Sequence, residues 1–171
     1  MMSRKRVGFQ FEEEFAMAKG LYFEEFATDQ VFRHTLRRTI TESDNVMFSC
    51  MTLNPQPLHI DFEFCKQTEW GKPLVNSLFT LGLMIGISVH DTTTGTTIAN
   101  LGMDETRFPH PLFHGDTVHV ETKVLAVRPS KSKPDRGIVT FEHRAFNQND
   151  VLVAVCRRNA MMMKRPKNGG K

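Results

Sequence analysis

Cysteine is scarce in this chain of 171 residues: Cys50, Cys65 and Cys156 are all there is, far apart and odd in number. No CxxC pair and no Cys/His ligand spacing occurs, which excludes a zinc module and a disulfide framework. The usage fits reduced thiols in a cytoplasmic protein. An excess of one charge is also missing. Twenty-two basic against 19 acidic residues leave a net +3, too little to argue for nucleic acid. The basic residues cluster in SRKR near the start, SKSKPDR at 130–136, and RR then KRPK at the end. The terminal clusters read as solvated tails, whereas the central one sits inside the fold. Long hydrophobic runs are absent too. The longest, Leu78 to Val89, is too short and too rich in Gly and Ser to span a bilayer, and the first residues lack the apolar region of a signal peptide. The expectation is a soluble cytoplasmic protein with neither membrane nor nucleic-acid partner.

What is present is the balance of an ordinary globular domain, 40% hydrophobic and 24% charged. The expected organisation is a lead-in over 1–20, one domain over 21–165 and a flexible tail over 166–171. VFRHTLRRTIT (31–41) has the β-branched and aromatic content of a strand with one wet face. Thr41 with Asp44 approximates a capping box and opens a short helix through SDNVMFSCMT, which Pro55 and Pro57 end. FEFCKQTEW is expected to make another short helix, broken by Gly71 and Pro73. LVNSLFTLGLMIGISVHD (74–91) is apolar on nearly every face, so a long buried helix is expected. Gly82 and Gly86 lie on one face of it, where close approach of a sheet would justify their cost. After Asp91 the pattern changes to strands: TTIANLGMDETRF, DTVHVETKVLAVRP, GIVTFEHRAFNQ and VLVAVCRRNAMMM. In the second, Val118, Val120, Thr122, Val124 and Ala126 share one side. NQND (147–150) is a tight turn joining the last two as a hairpin. The fold class is therefore α+β, an antiparallel sheet wrapped around a long central helix.

One stretch carries polar residues on a proline-stiffened connector: TLNPQPLHID (52–61), with Asn54, His59 and Asp61. In this context the chain resembles the MaoC-like hydratase/dehydratase family of acyl-CoA enzymes, whose fold is the hot-dog. The family signature is Asp, one residue, Asn-Pro, an aliphatic residue, His, one residue and an acid. Pro57, Leu58, His59 and Asp61 keep that register. LVNSLFTLGL and FPHPLFHGDTV (108–118) continue the resemblance, which covers most of residues 20–165. The chain departs from the pattern at the family's acid, whose position holds Asn54, while the family's Asn falls on Gln56. QTEW, LVNSLFTL, SVHDTTTGTTIANLG, SKSKPDRGIVT and NQND resemble the branch acting on branched C5 dicarboxylic acyl-CoAs such as mesaconyl-CoA and itaconyl-CoA.

The resemblance implies addition or removal of water across a double bond conjugated to a thioester, without metal or cofactor, coenzyme A being part of the substrate. Histidine suits the proton transfer because it titrates near neutrality, which makes His59 the acid/base. Asn54 cannot exchange a proton but can hold the water. Asp61 either fixes His59 or caps the next helix. The family places a backbone amide near Ser77, at the helix start, against the thioester oxygen, where a helix N-terminus offers unpaired N–H groups. Asn76 either contacts substrate or caps the helix. Arg107 is a candidate partner for a substrate carboxylate, against a surface ion pair with Asp104 or Glu105. Lys131, Lys133 and Arg136 either meet the phosphates of coenzyme A or form a solvated hairpin end. The other histidines lack ligand spacing, so no metal is expected. Edge strands of such sheets favour a homodimer or larger assembly. Two alternatives stand beside the hydratase: a hot-dog thioesterase, and a non-catalytic acyl-thioester-binding subunit that lacks the acid.

Overall fold

The structure, a computed structural model, describes residues 20–166. Apart from Gly20 and Pro166, the expected lead-in and tail lie outside the described residues. A 3₁₀ turn (Phe23–Glu25) precedes β1 (Val31–Arg33) and β2 (Arg38–Thr39). Four helices follow: α1 (Glu42–Met51), α2 (Pro57–Ile60), α3 (Phe62–Cys65) and α4 (Ser77–Thr92). The chain then runs through β3 (Thr97–Arg107), β4 (Thr117–Pro129), β5 (Arg136–Phe146) and β6 (Leu152–Met163). The strands form an antiparallel sheet in the order β1-β4-β5-β6-β3, with β2 added to β4. α4 packs against β4, β5 and β6. This is the hot-dog arrangement that the sequence led us to expect.

The local signals act as expected at several points. Thr41 caps α1 by accepting from the Asp44 amide while the Asp44 carboxylate accepts from Thr41 N, a full capping box. Asn147 accepts from the amides of Asn149 and Val151 and closes the β5–β6 hairpin. Three local readings change. The 31–41 strand is broken in two. Five residues from Arg33 to Arg38 cover the span of three on β4, so part of the chain is extruded between β1 and β2. Ala126 is exposed because a bulge after Val124 reverses the alternation of β4. Gly82 and Gly86 face outward, and a Cβ at either would meet nothing within 4 Å. With Leu78, 59% exposed, they line an open face of α4 rather than the sheet contact.

Two apolar clusters fill the concave side. The first holds Met84 and Ile87 of α4 with Val118, Val120, Ala145, Val153 and Cys156. The second holds Phe26, Val124, Val139, Phe141, Ala160 and Met162. Along each strand the residue between the clusters is polar: Thr122, His143 and Arg158, all buried. His34 Nδ1 lies 2.9 Å from Asp91 Oδ2, and its Nε2 lies 2.8 Å from Thr122 Oγ1. That hydroxyl is also 2.8 Å from His143 Nδ1.

This polar row makes stability depend on pH. Burial above all, then Arg158 and His34, holds the pKa of His143 well below that of a free imidazole. The unfolded chain, with an ordinary histidine pKa of about 6.5, therefore binds the proton that the folded chain refuses. Stability from this group is complete above that pH and falls as the pH drops below it, by up to ~1.4 kcal/mol per pH unit. His114, also lowered chiefly by burial, acts in the same direction. Urea midpoints at pH 7.5 and 5.5 check this: the wild type loses stability at the lower pH, and His143→Gln flattens most of the loss. An equal slope in the variant rules the assignment out.

Candidate active site

Three chain segments converge at the N-terminal end of α4, and local chemistry directs each of them. α1 ends at Met51, before the prolines, and the chain turns through Leu53 at φ 55°. Pro55 has no N–H, so the Asn54 Oδ1 accepts from the next available amide, Gln56 N, at 3.1 Å. Pro57 then occupies the first position of α2, where its fixed φ suits a helix start. His59 therefore lies on a short helix rather than on the expected loop. Leu74 N donates to Leu58 O at 3.0 Å, and Val75 N donates to Leu112 O at 2.9 Å. Buried Cys65 directs its thiol at Leu58 O from 3.4 Å. These bonds hold the segment entering α4 between α2 and the 108–113 segment.

The same segment orients the imidazole. His59 Nδ1 is 3.0 Å from Leu74 O. A carbonyl only accepts, so Nδ1 carries the proton and Nε2 of the neutral ring is a bare acceptor. His59 opens onto a cavity of about 320 Å³. The polar side chains of its lining are His59, Trp70, Ser77, Thr80 and His110; Leu74, Val75, Phe108, Leu112 and Val153 supply apolar wall. Ser77 is the first residue of α4, and no acceptor for its backbone N–H occurs among the described residues. A proton acceptor and an unpaired helix N-terminal amide thus border one mainly apolar cavity, which can take up a proton on one side and stabilise an oxyanion on the other.

The remaining candidates divide. Asn54 is not brought to His59: no hydrogen bond joins them, and Asn54 borders a separate surface depression with Ser49, Cys50, Leu53, Pro55 and Ile60. Its Oδ1 is taken up in the local turn with Gln56, and Asn54 does not line the cavity that His59 opens onto. Asp61 is a cap, accepting from Phe64 N at 2.9 Å. Asn76 is also a cap, its Oδ1 accepting from Leu78 N at 3.0 Å, and it is buried outside the cavity lining. Arg107 is exposed at the end of β3, one residue before the cavity wall at Phe108, but does not line the cavity. The surface ion pair forms elsewhere, between Arg157 and Glu105 at 2.6 Å.

Lys131, Lys133 and Arg136 sit at the opposite end of the sheet. Arg136 pairs with Met163, whereas the cavity touches Val153 at the start of β6, roughly 30 Å away at 3.3 Å per residue. Arg136 is engaged by Asp135, whose carboxyl it holds down to about 2. Within one chain these three residues and the cavity do not form one site. Thr80 and Trp70 were not singled out in the sequence, and His110 was read there only as a structural histidine. Thr80 is one turn from Ser77 and was legible as its helical neighbour; the other two come from segments that only the fold brings near. Among the described residues no three His, Cys, Asp or Glu side chains are grouped to hold a metal.

The MaoC like domain model matches residues 24–145. The chain is 30% identical over 149 residues to a beta-methylmalyl-CoA dehydratase of Chloroflexus aurantiacus, covering 87% of this chain and 42% of that protein. It is 27% identical over 146 residues to a mesaconyl-CoA hydratase of Cereibacter sphaeroides, covering 85% and 42%. The chain thus spans less than half the length of these two relatives. A Mycobacterium tuberculosis protein described as having a double hot-dog fold superposes with a TM-score of 0.79 at 25% identity, covering 89% of this chain and 47% of that one. With the hot-dog sheet, the His59 register and a family match over most of its length, the chain belongs to the MaoC-like domain family.

Proposed function

We propose that this protein adds water to, or removes it from, an α,β-unsaturated acyl-CoA thioester, and that the acyl group is a branched C5 dicarboxylic one of the mesaconyl-CoA or itaconyl-CoA type. The carrying observation is the bare Nε2 of His59 on the same cavity as the unpaired Ser77 amide. In the hydration direction, Nε2 takes a proton from water as the water oxygen bonds to Cβ. The π electrons move to Cα and onto the thioester oxygen, which the Ser77 N–H stabilises. The imidazolium then returns its proton to Cα. Electrons stay within the substrate, so the reaction needs no redox cofactor, and coenzyme A enters only as part of the substrate. The dicarboxylic substrate is supported by the beta-methylmalyl-CoA and mesaconyl-CoA activities for which the relatives are named. Arg107, at the rim beside Phe108, is the proposed partner of the second carboxylate.

The same reading includes a cytoplasmic location, a domain over 21–165 and a homodimer. Three unpaired cysteines support the first, and cell fractionation tests it. No helix among the described residues is long and apolar enough to cross a membrane. The homodimer is supported by the free edge of β3, with Leu101 and Met103 exposed, and by the open Leu78–Gly82–Gly86 face of α4. Sedimentation equilibrium giving the mass of a single chain excludes it.

A second reading has its own observation: Asn54 stands at the position of the family acid and does not line the cavity, as in a subunit that binds a thioester without reacting. Incubation with mesaconyl-CoA, itaconyl-CoA and crotonyl-CoA separates the readings. Loss of the conjugated absorbance without free thiol is the expected result. Thiol release identifies a thioesterase instead, and binding with neither change identifies the non-catalytic subunit.

A further inference from the structure

Asn45 is a polar residue with no exposure, on the buried face of α1 together with Ser49. Its Oδ1 accepts from the backbone N–H of Asn76 at 2.8 Å. Its Nδ2 lies 3.0 Å from both Leu74 O and His59 O, and 3.0 Å from His114 Nε2. The amide orientation is unambiguous, because a backbone N–H only donates and the two backbone carbonyls only accept. The two hydrogens of the amide are shared among these three neighbours, and burial lowers the pKa of His114.

Each of these contacts bears on the cavity. Leu74 O is the group that takes the proton of His59 Nδ1 and so leaves Nε2 bare. His59 O is the backbone of the base itself. Asn76 is the N-cap of α4 and immediately precedes Ser77. One carboxamide, on an element that does not border the cavity, therefore ties the base, the carbonyl that sets its tautomer, and the helix start that offers the oxyanion donor.

We propose that Asn45 is a positioning residue for the hydration reaction, setting the separation and orientation of His59 relative to the Ser77 amide. The proposal rests on the functional reading above, and its test separates the two. Asn45→Ala removes all the ties. Asn45→Asp keeps the acceptor for Asn76 and the side-chain volume but places a carboxylate oxygen against the Leu74 and His59 carbonyls. Both variants, with folding followed by circular dichroism, are compared with the wild type in hydration kinetics and in the ¹⁵N spectrum of histidine-labelled protein. The expected result is a kcat lowered by about 10- to 100-fold with KM changed by less than about three-fold, since a misplacement near 1 Å is enough for such a loss. The His59 resonances are expected to move from the Nδ1–H tautomer towards a mixture. A kcat within about two-fold of wild type, or an unchanged His59 spectrum in folded variants, overturns the proposal. Absence of turnover in the wild type overturns only the hydration reading, because the tautomer spectrum still decides for or against Asn45.

Discussion

His59→Ala is expected to lower kcat for hydration by a factor of ~10² to 10⁴, the range for loss of a positioned acid/base. KM is expected to change little, because the mainly apolar cavity wall that would hold the acyl chain is left intact. The Nδ1 bond to Leu74 O places the proton on the far side of the ring, so Nε2 is the only basic atom that this side chain offers the cavity. His59→Gln provides the control, since its amide retains polarity without titrating. It should fall as far as the alanine variant if proton transfer is the function of His59. Retention of more than about a tenth of wild-type kcat in either folded variant removes His59 from the mechanism.

The second large effect concerns a backbone group, which side-chain truncation does not reach. Proline at the first position of a helix fits the required φ and removes only an amide that has no intrahelical partner. Ser77 occupies that position in α4, and Asn76 before it has φ −58° and ψ 127°, which a following proline accepts. Ser77→Pro should therefore leave the fold intact while deleting the proposed oxyanion donor, with kcat lower by ~10² to 10³-fold. Ser77→Ala keeps the amide and loses only the hydroxyl, so its kcat should stay within a few-fold of wild type. Equal kinetics for the proline and alanine variants, both folded, would show that the thioester oxygen is held elsewhere.

His59 and Ser77 border the cavity, whereas Asn54 does not. His59, Pro57, Leu58 and Asp61 were legible as a register, and Ser77 as the start of an apolar helix. Asn54 was legible as well, as the holder of the water. With Pro55 unable to donate, an Asn followed by Pro directs its side-chain oxygen to the next amide, and this local bond at Gln56 competes with any catalytic placement. Asp61 and Asn76 follow the same rule, each serving as the cap of the helix that starts after it. Asn45 gave a weaker signal. A polar residue four positions before Ser49, on a helix with little amphipathic contrast, does not announce which carbonyls it will meet.

By itself, the amino-acid sequence determined what depends on neighbours along the chain. Strand alternation in β4 as far as Val124, the capping box of α1, the turn at 147–150 and the presence of a helix at α4 all follow from contacts within a few residues. Only the tertiary structure decided what depends on approach between distant segments. It brought Trp70 and the 108–112 segment to the cavity, turned Gly82 and Gly86 outward, and set the basic hairpin at the far end of the sheet. The physical reason is that periodicity reports which face of an element is apolar, whereas the partner of that face is chosen by the closure of the sheet around α4.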